Sequence, residues 1–132
     1  MSRLRALVAG HGDFAAGIIS ASVQITGRDD VFAALSNRGL SASDVASEMG
    51  RILDDTGARV VFTDLPAGSC TMAARRLQRD RPGLVVVVGV NLAALLDFIF
   101  DEADDGVAAR QAAGKGREAL NVIGDPGVPR GT

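Results

Sequence analysis

Four short apolar runs, each followed by a stretch with helical spacing, constrain this chain more than any other feature. The first, Arg3 to Ala9, ends in Gly10-His11-Gly12, the signature of a buried strand entering a tight turn. Phe14, Ile18, Ser22 and Ile25 then recur at helical spacing, with Asp13 placed to cap and Gly27 to stop the helix. Val31 to Leu35 is a second, weaker strand, and Asn37-Arg38-Gly39 reads as a loop. Ser41 and Ser43 are alternative caps for a helix that carries Val45, Met49, Ile52 and Leu53 on one face and ends at Gly57. Val60 to Phe62 is a strand running into Thr63-Asp64, and after a turn Ser69 caps a helix that Pro82-Gly83 breaks. Leu84 to Val90, rich in β-branched residues, is the clearest strand. Leu92, Leu95, Leu96 and Ile99 share the face of the next helix, and Ala103 to Ala113 predicts another. Strand–helix alternation of this kind predicts an α/β fold: a doubly wound, mainly parallel sheet with helices on both faces.

At 132 residues the chain fits one domain and not two. That domain is expected over residues 1–123, followed by a flexible tail over 124–132 that holds two prolines and three glycines. A hydrophobic fraction of 47% suffices for a core without disulfide or metal staples. A single cysteine, Cys70, makes no internal disulfide and fits a reducing cytoplasm. The polar Ser2 to Arg5 opening does not read as a secretion signal. Leu84 to Val90 and Leu92 to Phe100 are each well short of the roughly 20 residues that a membrane-spanning helix needs. A net charge of −2 and 4% aromatics give no nucleic-acid surface. One histidine and one cysteine do not supply the usual zinc ligands.

In parallel α/β sheets, ligands meet the loops beyond the carboxyl ends of the strands. Three such loops have the polar content for chemistry: Gly10 to Asp13, Thr63 to Ser69, and the turn at Asn91. His11, the only histidine, reads either as a nucleophile or acid–base group at the sheet edge or as a turn histidine bonding a carbonyl. Asp64 ends the third strand on the same edge. It either caps the following turn or accepts from Nδ1–H of an imidazole, which fixes the tautomer and leaves Nε2 with its lone pair. Gly68 and Ser69 open a helix, so they form either an ordinary N-terminus or a cradle for phosphoryl oxygens. Asn91 is a polar edge residue or a strand terminator, and Cys70 is a small helix residue rather than a nucleophile. Gly10 to Ala15 also fits the G-x-G-x-x-A dinucleotide pattern. That pattern wants an acidic residue ending the second strand, where this chain has Ser36-Asn37.

The joint pattern is more specific than its parts. A strand-terminal Gly-His-Gly, a strand-terminal Asp followed by Gly-Ser, and Val88-Gly89-Val90-Asn91 resemble, in order and spacing, the mannose-type IIA components of phosphoenolpyruvate-dependent sugar phosphotransferase systems. The resemblance runs from Arg5 to about Leu120. It implies a protein-histidine phosphotransferase that needs no cofactor or metal. By resemblance His11 is phosphorylated, Asp64 orients it, and Gly68 and Ser69 bind the phosphoryl group. HPr is the implied donor and a IIB component the implied acceptor, leading to the IIC and IID membrane components. The resemblance also implies a homodimer, with Glu118 to Ile123 as a strand exchanged between subunits. The same histidine would serve a phosphorylation-dependent regulator or a phosphoryl-donor subunit of a dihydroxyacetone kinase. The chain departs from the family pattern where Ala67 replaces a glycine, Cys70 a proline, and Leu65-Pro66 residues that often include an aromatic.

Overall fold

A computed structural model describes residues 4–124, 126 and 127. Among these, nine elements follow one another: β1 (Ala6–Gly10), α1 (Phe14–Thr26), β2 (Phe32–Ser36), α2 (Ala42–Thr56), β3 (Val60–Thr63), α3 (Ser69–Gln78), β4 (Val85–Val87), α4 (Leu92–Phe100) and α5 (Asp105–Ala119). The strands form one parallel sheet in the order β2-β1-β3-β4. Gly10 lies opposite Ser36, and Ala9 opposite Thr63, so the ends of β1, β2 and β3 share one edge.

Strand side chains alternate between faces, and the two cores show it. Ala6, Val8, Val60 and Phe62 point toward α1, α4 and α5, where Ala15, Leu95, Phe98 and Ala109 meet them. Leu7, Ala9 and Val61 point the other way, toward Val45, Met49 and Leu53 of α2 and Ala73 and Ala74 of α3. Phe98 stands 5.1 Å from Phe62 edge-on and 5.9 Å from Phe32 in a stacked pair, which centres the first core on aromatic packing. Arg5 ties the start of β1 to this layer. Its Nε bonds Asp105 Oδ1 at 2.9 Å, Nη1 donates to the Phe98 carbonyl at 2.9 Å, and the guanidinium lies 4.2 Å from the Phe98 ring centre.

The expected parallel α/β architecture is the observed one, and four details differ. β4 is shorter than Leu84 to Val90, because its pairing with β3 spans only Val85 to Val87 and Gly89 turns the chain at φ +71°. The last helix is longer than Ala103 to Ala113, since Asp104 caps it through Gly106 N–H and Gly114 and Gly116 continue it. At α1, Asp13 holds the cap position without a side-chain cap bond; its carboxylate instead meets Arg38 Nη1 at 3.1 Å. At α3 the cap position is Gly68, and Ser69 is the first helical residue. Of the two alternative caps for α2, Ser41 is the one used, accepting from Asp44 N–H.

Glu118 and Ala119 close α5, and Leu120 to Ile123 follow without helix or strand. Of the expected tail, residues 125 and 128–132 lie outside the described residues. Among the described residues no helix is long and apolar enough to cross a membrane.

Candidate functional site

Gly10 is the last residue of β1, and its missing side chain makes the site possible. A Cβ there would sit 2.8 Å from Phe14 Cδ2 and 3.0 Å from Asp64 Oδ2. Asp64, just past β3, therefore reaches across to the β1 loop. Its Oδ2 accepts the His11 backbone N–H at 2.9 Å and lies 2.8 Å from His11 Nδ1. Burial pushes the Asp64 carboxyl upward, but the His11 N–H and imidazole outweigh it and hold the group below the usual carboxylate range. An ionised carboxylate only accepts, so Nδ1 carries the donated proton and the neutral ring keeps its lone pair on Nε2. The imidazole is half exposed (50%), while the Asp64 side chain is only 10% exposed. Asp64 is thus a fixed base plate beneath an accessible ring.

Gly68 faces that ring. It adopts φ +119°, and a Cβ on it would stand 3.2 Å from His11 Cε1 and 3.9 Å from Nε2. Only glycine both takes that backbone conformation without strain and lets the imidazole approach. Gly68 is also the cap residue of α3, whose first ladder bond runs from Met72 N–H to the Gly68 carbonyl. The preceding first-turn N–H groups have no ladder partner and carry the positive end of the helix dipole. Ala67 in place of a glycine is accommodated, because among the described residues every positive φ belongs to a glycine.

The loop that holds Asp64 is anchored from below. Thr71 Oγ1 lies 2.6 Å from both the Leu65 carbonyl and Thr63 Oγ1, and Thr63 and Thr71 are buried. Cys70 is buried beside them, and burial with the nearby Asp64 charge pushes its thiol up despite the Ser69 contact. A thiol in that setting is a packing residue.

The structure therefore brings together His11, Asp64 and Gly68, with Ser69 adjoining at the head of α3. Asn91 does not join them. Its Oδ1 caps α4 through Ala94 N–H at 3.0 Å, and its Nδ2 donates to the Gly116 carbonyl at 2.8 Å, so it fastens α4 to α5.

The turn after β2, which reads as plain loop in the sequence, does join. Ser36 Oγ donates to the Gly12 carbonyl at 2.8 Å, Asn37 N–H to the Gly10 carbonyl at 3.2 Å, and Asn37 Nδ2 to Ser69 Oγ at 2.9 Å. No local motif marks these residues. The signal was topological: β2 must flank β1 for its end to meet His11.

The molecule so defined is a single parallel α/β domain with a histidine–aspartate pair at its carboxyl edge and a helix N-terminus against the ring. Residues 5–113 match the family model EIIA-man, described as PTS system fructose IIA component, and the chain belongs to that family of sugar phosphotransferase system components.

Solved structures share the fold. The mannose/sorbose-specific IIA subunit from Enterococcus faecalis aligns at TM-score 0.80 and 20% identity, covering 96% of this chain and 99% of that one. The IIA protein associated with the fucose utilization operon of Streptococcus pneumoniae aligns at 0.78 and 21%, covering 93% and 96%. Component EIIA from Streptococcus agalactiae aligns at 0.69 and 24%, covering 86% and 94%. No curated protein matches the chain.

Proposed function

We propose that this chain is the phosphoryl carrier of its sugar phosphotransferase system, accepting a phosphoryl group from phospho-HPr on His11 Nε2 and passing it to a IIB component. The observation that carries this reading is the bond between His11 Nδ1 and Asp64 Oδ2, which leaves Nε2 as the nucleophilic nitrogen on a half-exposed ring.

In the transfer, the donor's P–N bond breaks as a new bond forms between phosphorus and His11 Nε2. The donor imidazole recovers its lone pair, and the His11 ring becomes cationic with its Nδ1 proton retained. Asp64 stabilises that cation. The α3 N-terminus at Gly68 and the Ser69 hydroxyl stabilise the equatorial oxygens. Transfer to IIB is the reverse reaction with a different partner. The two adducts are of similar energy, so the carrier works near equilibrium. No step needs a metal or cofactor. Onward transfer would reach the IIC and IID membrane components through IIB, with the carrier working in the cytoplasm.

A homodimer fits the remaining surface. Among the described residues β4 has β3 as its only strand neighbour, and Val85 to Val87 are partly exposed. Leu120, Val122 and Ile123 are 83%, 91% and 97% exposed, a spread of apolar surface that a partner sheet edge would cover. Glu118 and Ala119 belong to α5, so in this reading the part of the expected segment beyond the helix, Leu120 to Ile123, supplies the exchanged strand.

The direct test is phosphorylation from labelled phosphoenolpyruvate through enzyme I and HPr. Acid-labile, base-stable label on the wild type and none on folded His11→Ala is the expected result. An unlabelled wild type with active donors would overturn the carrier reading.

A further inference from the structure

The turn after β2 holds a residue for which the transfer scheme above has no role. Asn37 bridges the two halves of the site. Its main chain is pinned to the strand end that precedes His11, through its N–H to the Gly10 carbonyl at 3.2 Å. Its side chain crosses to α3, where Nδ2 donates to Ser69 Oγ at 2.9 Å. The neighbouring Ser36 hydroxyl holds the Gly12 carbonyl at 2.8 Å and accepts from Arg38 N–H at 3.1 Å, so both sides of Asn37 are tied to the turn between β2 and the His11 loop.

A serine hydroxyl has one proton and two lone pairs. The Asn37 amide occupies one lone pair of Ser69 Oγ and approaches as a donor, so the hydroxyl proton must point elsewhere. The neighbouring Cys70 sulfur would be at most a weak acceptor for that proton. A phosphoryl oxygen on the nitrogen facing Gly68 would be a far stronger one.

We propose that Asn37 is a positioning residue for phosphoryl transfer, holding the Ser69 hydroxyl so that its proton is presented to an oxygen of the phosphoryl group on His11. This rests on the phosphoryl-carrier reading. Asn37 itself touches no reacting atom. It acts by fixing the rotamer and polarity of Ser69 before the donor arrives, which lowers the reorganisation needed in the transition state.

Polarity separates this role from simple loop support. Asn37→Ala frees the Ser69 rotor and should slow transfer from phospho-HPr about 3- to 10-fold. Asn37→Asp replaces the donor by a carboxylate that accepts the Ser69 proton and repels the phosphoryl group. Its loss should be larger, on the order of 100-fold.

The test is the single-turnover rate of label transfer from phospho-HPr to the wild type, Asn37→Ala, Asn37→Asp, Ser69→Ala and the Asn37→Ala/Ser69→Ala double variant. Rates are taken over a range of HPr concentrations, with urea midpoints for each protein. The expected result is a fall in the saturating rate with little change in half-saturation. Asn37→Asp should be slower than Asn37→Ala, and Asn37→Ala should add nothing once Ser69 is alanine. Independent losses in the double variant, equal rates for the alanine and aspartate variants, or losses that follow the urea midpoints would overturn the role of Asn37 while leaving the carrier reading intact. A wild type that takes no label from active donors would remove the carrier reading, and Asn37's role with it.

Discussion

One oxygen of Asp64 accepts both the His11 backbone N–H and the ring Nδ1–H, so it sets the loop and the tautomer together. Asp64→Asn keeps the shape and removes the charge that, in the proposed transfer, balances the cationic ring. Transfer onto His11 should fall by roughly 100-fold, read as the initial rate of labelling.

The same carboxylate makes a pH prediction. Burial raises its pKa, but its His11 partners hold it below the ordinary range, so its ionised form favours the folded state. That contribution is complete above about pH 4 and is lost as pH falls through the lower folded-state value. Urea midpoints measured from neutral pH into acid should therefore fall less steeply for Asp64→Asn than for the wild type. Parallel slopes would mean that the pair adds nothing to acid stability.

His11, Asp64, Gly68 and Ser69 stand out in the sequence as candidates because each sits where a strand ends or a helix begins, and their joint order and spacing, not any one position, favours the functional reading. Asn37 does not stand out, since its bonds to Gly10 and Ser69 depend on β2 lying beside β1, an order that hydrophobic spacing does not encode.

At the scale of elements, the last helix runs past its expected end. The spacing predicts a helix over Ala103 to Ala113, whereas α5 continues to Ala119 through Gly114 and Gly116, residues of weak helix propensity. The structure needs Gly116 there, because a Cβ would lie 2.7 Å from Asn91 Oδ1 and 2.9 Å from Ala94 Cβ. Gly116→Ala should thus destabilise the protein by about 1–3 kcal/mol, although alanine is the better helix former. Chemical denaturation would show it, and an unchanged or raised stability would mean that α4 and α5 separate freely. The α4 boundaries, Leu92–Phe100, match expectation, with Asn91 as the cap, but the buried face is Ala94, Leu95, Phe98 and Ile99, and the expected Leu92 and Leu96 are only partly buried. At β4 the valine run overstated the strand: β-branched residues favour extended chain, but pairing needs a neighbour, and Gly89 turns away.

At the scale of the whole molecule, the alternation of strand and helix predicts the parallel sheet because short, near-continuous apolar runs need burial on both faces. What a single chain does with its open edge belongs to the assembly. Truncation after Ala119 removes Leu120, Val122 and Ile123 from the surface. If those residues cover the β4 edge of a second copy, light scattering should give a dimer for the intact chain and a monomer for the truncated one. Equal masses would remove the exchanged segment from the account.

The central claim is that Asp64 reserves His11 Nε2 for the phosphoryl group, and the site of attachment tests it most directly. ¹⁵N NMR of the histidine-labelled protein, phosphorylated through enzyme I and HPr, distinguishes the two ring nitrogens. Phosphorus on Nε2 with the Nδ1 proton retained is the predicted result. Phosphorus on Nδ1, or on any residue other than His11, would contradict it.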